Sequence, residues 1–209
     1  MPDFAADLDS RGAPLEYWFC HLHTDGLAFL VDFIVRRRTG QAEVRVSLWR
    51  HERGQVLRTS TRAWRTVGPQ AHIGGCVFSP DGTAGEVADV RWELAFAAGD
   101  TRLAPAVALL SQLRPFDLDL ISRPRTWLRG RITVAGEVFE VAGAPGGVTH
   151  YWGRRLPDRW HWISAGGFGD RDVAVEAVLM RTRWWGARPA LTAGYLWLRQ
   201  ADRVRARSA

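Results

Sequence analysis

The chain has 209 residues, 46% of them apolar and 24% charged. This excludes a disordered chain and supplies ample material for the core of one domain. A net charge of +6 raises the question of nucleic acid, but all 28 basic residues are Arg. They alternate with Asp and Glu, and the only tight run is Arg36–Arg38, so no nucleic-acid partner is expected.

Strand signals dominate in chain order. Glu16–His23 and Leu27–Arg36 flank Thr24-Asp25-Gly26, whose Asp-Gly pair is a hairpin cue. In the second run Leu27, Phe29, Val31, Phe33 and Val35 share one face, while Ala28, Leu30, Asp32 and Ile34 share the other. Both faces are apolar, so this strand is expected to be covered on both sides. Glu43–Trp49 alternates cleanly, Gln55–Thr66 more weakly, and Glu86–Phe96 sets Trp92, Leu94 and Phe96 on one face. Arg125–Val134 and Glu137–Val141 form a second hairpin about Ala135-Gly136. Trp160–Ala165, Asp172–Arg183 and Ala190–Arg199 complete the set.

The expectation is an all-β, antiparallel barrel or strongly bent sheet of about nine or ten strands. One exception stands out. Residues 103–113, after Thr101 and around Pro105, read as a short helix or lid, with peripheral membrane contact as its sharper reading. Residues 1–14 are polar and are expected to be flexible, residues 15–199 to form the domain, and the Arg-rich tail 200–209 to fray. The opening lacks an apolar signal region, and Cys20 and Cys76 cannot build a disulfide framework. A cytoplasmic location is therefore expected.

Eleven Trp residues are the more informative excess. They point either to a wide β-core or to a large apolar pocket. No standard catalytic motif is present, so candidates must be polar groups planted among aromatics. His21 and His23 share a strand face, a pattern that can ligate a metal if His72 or His150 joins, although a hydrogen-bonded pair near a strand end is the plainer reading. Asp32, between Leu30 and Ile34, is either paired with an Arg or shifted upward in pKa. The densest stretch is Val148–Ala165, with His150, Tyr151, Trp152, Trp160, His161 and Trp162.

That stretch resembles the signature of the tocopherol cyclase and hydroxyneurosporene synthase (carotenoid hydratase) group. There an acidic residue, a basic residue or His, any residue, Trp and Gly precede a short loop and a Trp-aromatic-Trp strand. The motif is carried here by His150, Trp152-Gly153 and Trp160-His161-Trp162. Glu16-Tyr17-Trp18-Phe19 and the hairpin Arg131–Glu140 are similar to other parts of the group's pattern.

The resemblance implies a lipocalin-like (calycin) barrel, a long isoprenoid-like ligand and acid-initiated addition to a carbon–carbon double bond without a cofactor. Its site would draw on Asp32, His150 and Thr149 for chemistry. Trp18, His21, His23, Trp92, Tyr151, Trp152, Trp160 and Trp162 would contact substrate. Two departures matter. Thr149 stands where the group has its acid, so Asp32, Glu93 or Glu176 would have to replace it, Asp32 being the first choice. Group members usually have two lipocalin-like halves, which makes this chain a single-barrel relative, a shortened version or a partner of another chain. The functional alternatives are a cofactor-free cyclase or hydratase, a carrier using the same pocket, and a structural module with a dry Trp core. Gly153 is expected at a positive φ or a close backbone approach, with Trp152 buried beside Trp160 or Trp162.

Overall fold

In a computed structural model, residues 4–24, 26–50, 53–97, 118–166, 173–183, 191–200 and 203–208 are described. Fifteen strands and one short helix are found among them, more strands than the sequence pattern separates. The helix α1 spans Phe4–Leu8. The strands are β1 Leu15–Thr24, β2 Leu27–Arg36, β3 Gln41–Arg50, β4 Arg53–Thr61, β5 Trp64–Val67, β6 Gln70–Ile73, β7 Cys76–Ser79 and β8 Gly82–Val87. They continue with β9 Val90–Ala97, β10 Leu118–Val134, β11 Glu137–Gly153, β12 Arg159–Gly166, β13 Val173–Thr182, β14 Leu191–Gln200 and β15 Arg203–Ser208.

Eleven strands form one sheet in the order β4-β3-β2-β1-β11-β10-β9-β8-β7-β6-β5. It curls into a nearly closed antiparallel barrel, the architecture expected from the alternating pattern. The remaining four strands, β12 to β15, make a second antiparallel sheet.

Two apolar clusters result. Inside the barrel lie Trp18, Phe29, Phe33, Phe78, Trp92 and Leu128 with their neighbours, all essentially inaccessible. Full burial of each such side chain is worth roughly 2–3 kcal/mol. Outside it, Tyr17, Phe19, Ile34, Leu120 and Tyr151 meet Val178, Met180, Ala193, Tyr195, Trp160 and Trp162 of the second sheet. The central barrel strands β1 and β2 are thus covered on both faces, as their two apolar faces require.

Three segments differ from expectation or fall outside the described residues. The start of the chain is tied down: Leu8 is buried, and its carbonyl accepts a hydrogen bond from the Trp18 indole at 3.0 Å. Asp7 meets the buried Arg123 at 2.6 Å. The Arg-rich tail expected to fray supplies β15, paired to β14 from Tyr195↔Ser208 to Gln200↔Arg203. The helix or lid read at 103–113 lies outside the described residues.

Candidate functional site between barrel and second sheet

Strand alternation decides which residues can meet. The outward side chains of β1 are Tyr17, Phe19, His21 and His23, and the ladder sets Tyr151, Thr149 and Gly147 of β11 beside the first three. On the other flank Ile34, Asp32 and Leu30 of β2 face the same way. The facing rows of the second sheet are Trp160–Met180–Ala193, Trp162–Val178–Tyr195 and Ser164–Glu176–Trp197. Rings interlock across the gap. Tyr17 lies 5.8 Å from Trp160, Phe19 5.5 Å edge-on to Trp162, and His21 4.6 Å edge-on to Trp162.

A carboxyl group sits on the Ser164–Trp197 row, next to the row of Trp162 and Tyr195. Glu176 is fully buried, and its Oε1 accepts hydrogen bonds from the Ser122 hydroxyl at 2.8 Å and from the Tyr195 hydroxyl. Because Ser122 spends its proton on Glu176, the 2.9 Å contact between Ser122 and Thr149 must be donated by Thr149. Burial raises the Glu176 pKa, offset in part by Tyr195, Ser122 and the Trp162 indole N–H. That indole leans toward the carboxyl group, yet neither Trp162 Nε1 nor Glu176 Oε2 closes a hydrogen bond of ordinary geometry. With two donors on Oε1, a proton on this group belongs on Oε2.

Asp32 is equally buried but differently engaged. Its Oδ1 accepts from Tyr17 at 2.6 Å and its Oδ2 from Arg45 Nε. Arg45 also donates to the Tyr17 hydroxyl at 3.1 Å. Burial lifts the Asp32 pKa to about 6 against the pull of Arg45 and Tyr17. Both alternatives read from the sequence therefore hold at once, and neither oxygen is left to reach a ligand. Glu93, the third carboxylate considered, is exposed on β9.

The histidine end of the gap is the open one. His21 Nε2 lies 2.8 Å from Ser164 Oγ, and burial with His23 nearby lowers its pKa to about 3, so the ring is neutral. Gly147 makes this placement possible, since a Cβ there would stand 2.6 Å from His21 Cε1. His23, its ring 5.8 Å from that of His21, lines a cavity of about 740 Å³ together with Trp127, Val138, Phe139, Pro145 and Gly166. It is an open surface groove, with Trp127 and Val138 exposed along it.

The other predicted site residues lie on the barrel's inner side. His150 is stacked 4.7 Å from Trp18 and lies tilted 5.0 Å from Trp152, and its Nδ1 meets the Asp7 carbonyl at 3.1 Å. Glu16 lies 3.6 Å from His150 and accepts from Arg37, Ser10 and two backbone N–H groups. Against burial, which raises it, His150, Arg37 and Ser10 hold the Glu16 pKa down at about 2. Trp92 donates to Thr83 at 3.1 Å within the core. No single pocket gathers Trp18, Trp92, Trp160 and Trp162, because the first two and the last two occupy different clusters.

Two expectations about the signature change accordingly. Trp152 packs on His150, across the sheet from Trp160 and Trp162, because residues 150 and 152 point to one face and 149 and 151 to the other. Gly153 closes β11 as a ladder residue paired with Leu15 and is not among the positive-φ glycines. Among the described residues no three His, Cys, Asp or Glu side chains gather as a metal site.

Sequence reasoning missed Ser122, Ser164 and Tyr195, which lack any spacing motif. One signal was present for Tyr195, which shares its strand face with Trp197. Six polar atoms of the gap are buried without a partner among the described residues: His21 Nδ1, His23 Nε2, Tyr151 Oη, Trp162 Nε1, Glu176 Oε2 and Trp197 Nε1. Buried polar groups of native proteins are nearly always satisfied, and two of these atoms, Trp162 Nε1 and Glu176 Oε2, lie toward one another.

Fold and site define a bent β-barrel with a second sheet packed on its outer wall and a buried acid between the two. Solved structures share that fold. An AttH-assigned protein from Nitrosomonas europaea is 18% identical and superposes with a TM-score of 0.72 over 98% of this chain and 71% of its own. Kievitone hydratase from Nectria haematococca is 12% identical, with a TM-score of 0.66 over 97% of this chain and 66% of its own. The chain thus spans about two thirds of the length of these neighbours. No protein-family model and no curated protein matches at the sequence level.

Proposed function

We propose that the chain binds a hydrophobic, isoprenoid-like molecule in the gap between barrel and second sheet, and that Glu176 initiates addition to its carbon–carbon double bond. The observation that carries this reading is the Glu176 carboxyl group, fully buried, with Oε1 holding two donors and Oε2 holding none. Desolvation favours the protonated form, which is what an acid needs near neutral pH. Protonating an alkene creates a carbocation, and the rings of Trp162, Phe19 and Tyr151 are suited to stabilise it while excluding water. The apolar tail would occupy the cavity at Trp127, Phe139 and Pro145.

In this reading Thr149, at the signature's acid position, orients the acid through Ser122 instead of being it. Asp32 holds Tyr17 and Arg45 in place and takes no direct part. The neighbouring hydratase fold is compatible with the reading and supplies only an analogy.

The test uses ortho-prenylphenol as probe, with binding followed by calorimetry and product by chromatography. Glu176→Gln should lose at least about a hundredfold in turnover while binding survives. Asp32→Asn, which leaves Glu176 in place, should keep turnover. Turnover unaffected by Glu176→Gln would remove Glu176 from the chemistry. Binding without turnover in the unaltered protein would instead favour the carrier reading.

A further inference from the structure

An acid that generates a carbocation leaves open what quenches it. A hydroxyl group of the substrate would give cyclisation, and water would give hydration. Resting on the reading of Glu176 as the acid, we infer that His21 and Ser164 form the base arm of the same site, which makes water the second reactant.

Three placements carry this. Ser164 is the direct cross-strand partner of Glu176, which brings their Cβ atoms within about 5 Å on one face. Ser164 Oγ is 2.8 Å from His21 Nε2. His21 Nδ1 is buried with no partner among the described residues, and the ring is neutral and adjoins the cavity-lining His23. The groups therefore run Glu176, Ser164, His21 and then an empty acceptor beside the open end of the site.

The steps balance. Glu176 gives its Oε2 proton to one alkene carbon, leaving a carbocation and a carboxylate. A water oxygen bonds to the cation, and its surplus proton goes to His21 Nδ1. The imidazolium passes its Nε2 proton to Ser164 Oγ, and Ser164 returns its own hydroxyl proton to Glu176. Alkene and water become alcohol, and the protein ends as it began. The arrangement needs the His21 tautomer protonated on Nε2, donating to Ser164, with Nδ1 bare. Gly147 fits this role: its missing side chain leaves room for His21 Cε1 and Nε2 beside β11, where Nε2 reaches Ser164.

The probe ortho-prenylphenol distinguishes the two outcomes, because its own phenol can close a chroman ring while water gives a tertiary alcohol. In deuterated water, transfer of deuterium to carbon reports the acid step alone. The unaltered protein should form mainly the alcohol. His21→Gln and, with less risk to folding, Ser164→Ala should lower alcohol formation more than about tenfold, while single-turnover deuterium transfer to carbon, which uses the proton already on Glu176, continues and chroman becomes the larger share of the product. Alcohol formation unchanged in both variants, or chroman as the main product of the unaltered protein, would overturn the base arm and leave the acid standing. Absence of deuterium transfer by the unaltered protein would overturn the acid reading and this inference with it.

Discussion

At the scale of single residues, buried charge is handled in two opposite ways on the two faces of β1. Inside the barrel Glu16 is kept ionised by Arg37, Ser10, His150 and backbone donors, with a pKa lowered from 4.5 to about 2. Outside it Glu176 meets the Tyr195 and Ser122 hydroxyls and the Trp162 indole, and burial pushes it upward. The first difference is a stability statement. A group whose folded pKa lies below its unfolded value stabilises the fold above the unfolded pKa and loses that contribution as pH falls through the folded one. Glu16→Gln should therefore cost about 3 kcal/mol at pH 7. The gap to the unaltered protein should close between about pH 4.5 and about pH 2. Urea unfolding of both proteins across that range checks it; a gap independent of pH would mean that the carboxylate charge is not what Glu16 contributes.

Elements show how much was legible in the sequence, and why the remainder was not. The β1–β2 hairpin could be read from Asp25-Gly26 and the clean alternation around it, and two apolar faces correctly implied cover on both sides. Alternation reports which residues share a face, however, and not which face turns inward. Trp18, Trp92, Trp160 and Trp162 could thus be placed on their strands but not sorted into barrel core and inter-sheet gap. The second half of β11 was hidden for another reason. The alternation readable in the sequence stops at Val141, whereas Pro145, Gly146 and Gly147 continue the ladder, Gly143 is the bulged residue between Ala142 and Ala144, and Gly146 and Gly147 give clearance from β1. At Gly146 an added Cβ would stand 2.0 Å from the His21 carbonyl oxygen, and at Gly147 it would strike the His21 ring. Gly147→Ala should consequently turn His21 away from Ser164 and cost roughly 1–3 kcal/mol by overpacking. Imidazole NMR signals of His21 together with a melting curve test this. An unmoved His21 resonance would show that Gly147 does not set the ring's position.

At the scale of the molecule, the barrel is self-sufficient in its core, and the second sheet adds a covered outer wall with a polar centre. The candidate acid was accessible to sequence reasoning because Glu176 stands between inward-facing neighbours such as Val178, the same anomaly that singled out Asp32. What decided between them was tertiary: Arg45 arrives beside Asp32 from β3, while Tyr195 and Ser122 reach Glu176 from β14 and β10. Solvation by an arginine keeps a carboxyl group committed to structure, and solvation by hydroxyl groups leaves it able to hold and release a proton. The central claim is therefore that Glu176 carries a proton at neutral pH. Infrared difference spectroscopy between the unaltered protein and Glu176→Gln at pH 7 measures it directly. The account predicts a protonated-carboxyl C=O stretch in the unaltered protein that disappears in Glu176→Gln and persists in Asp32→Asn. A spectrum in which Glu176→Gln removes only carboxylate bands would contradict it.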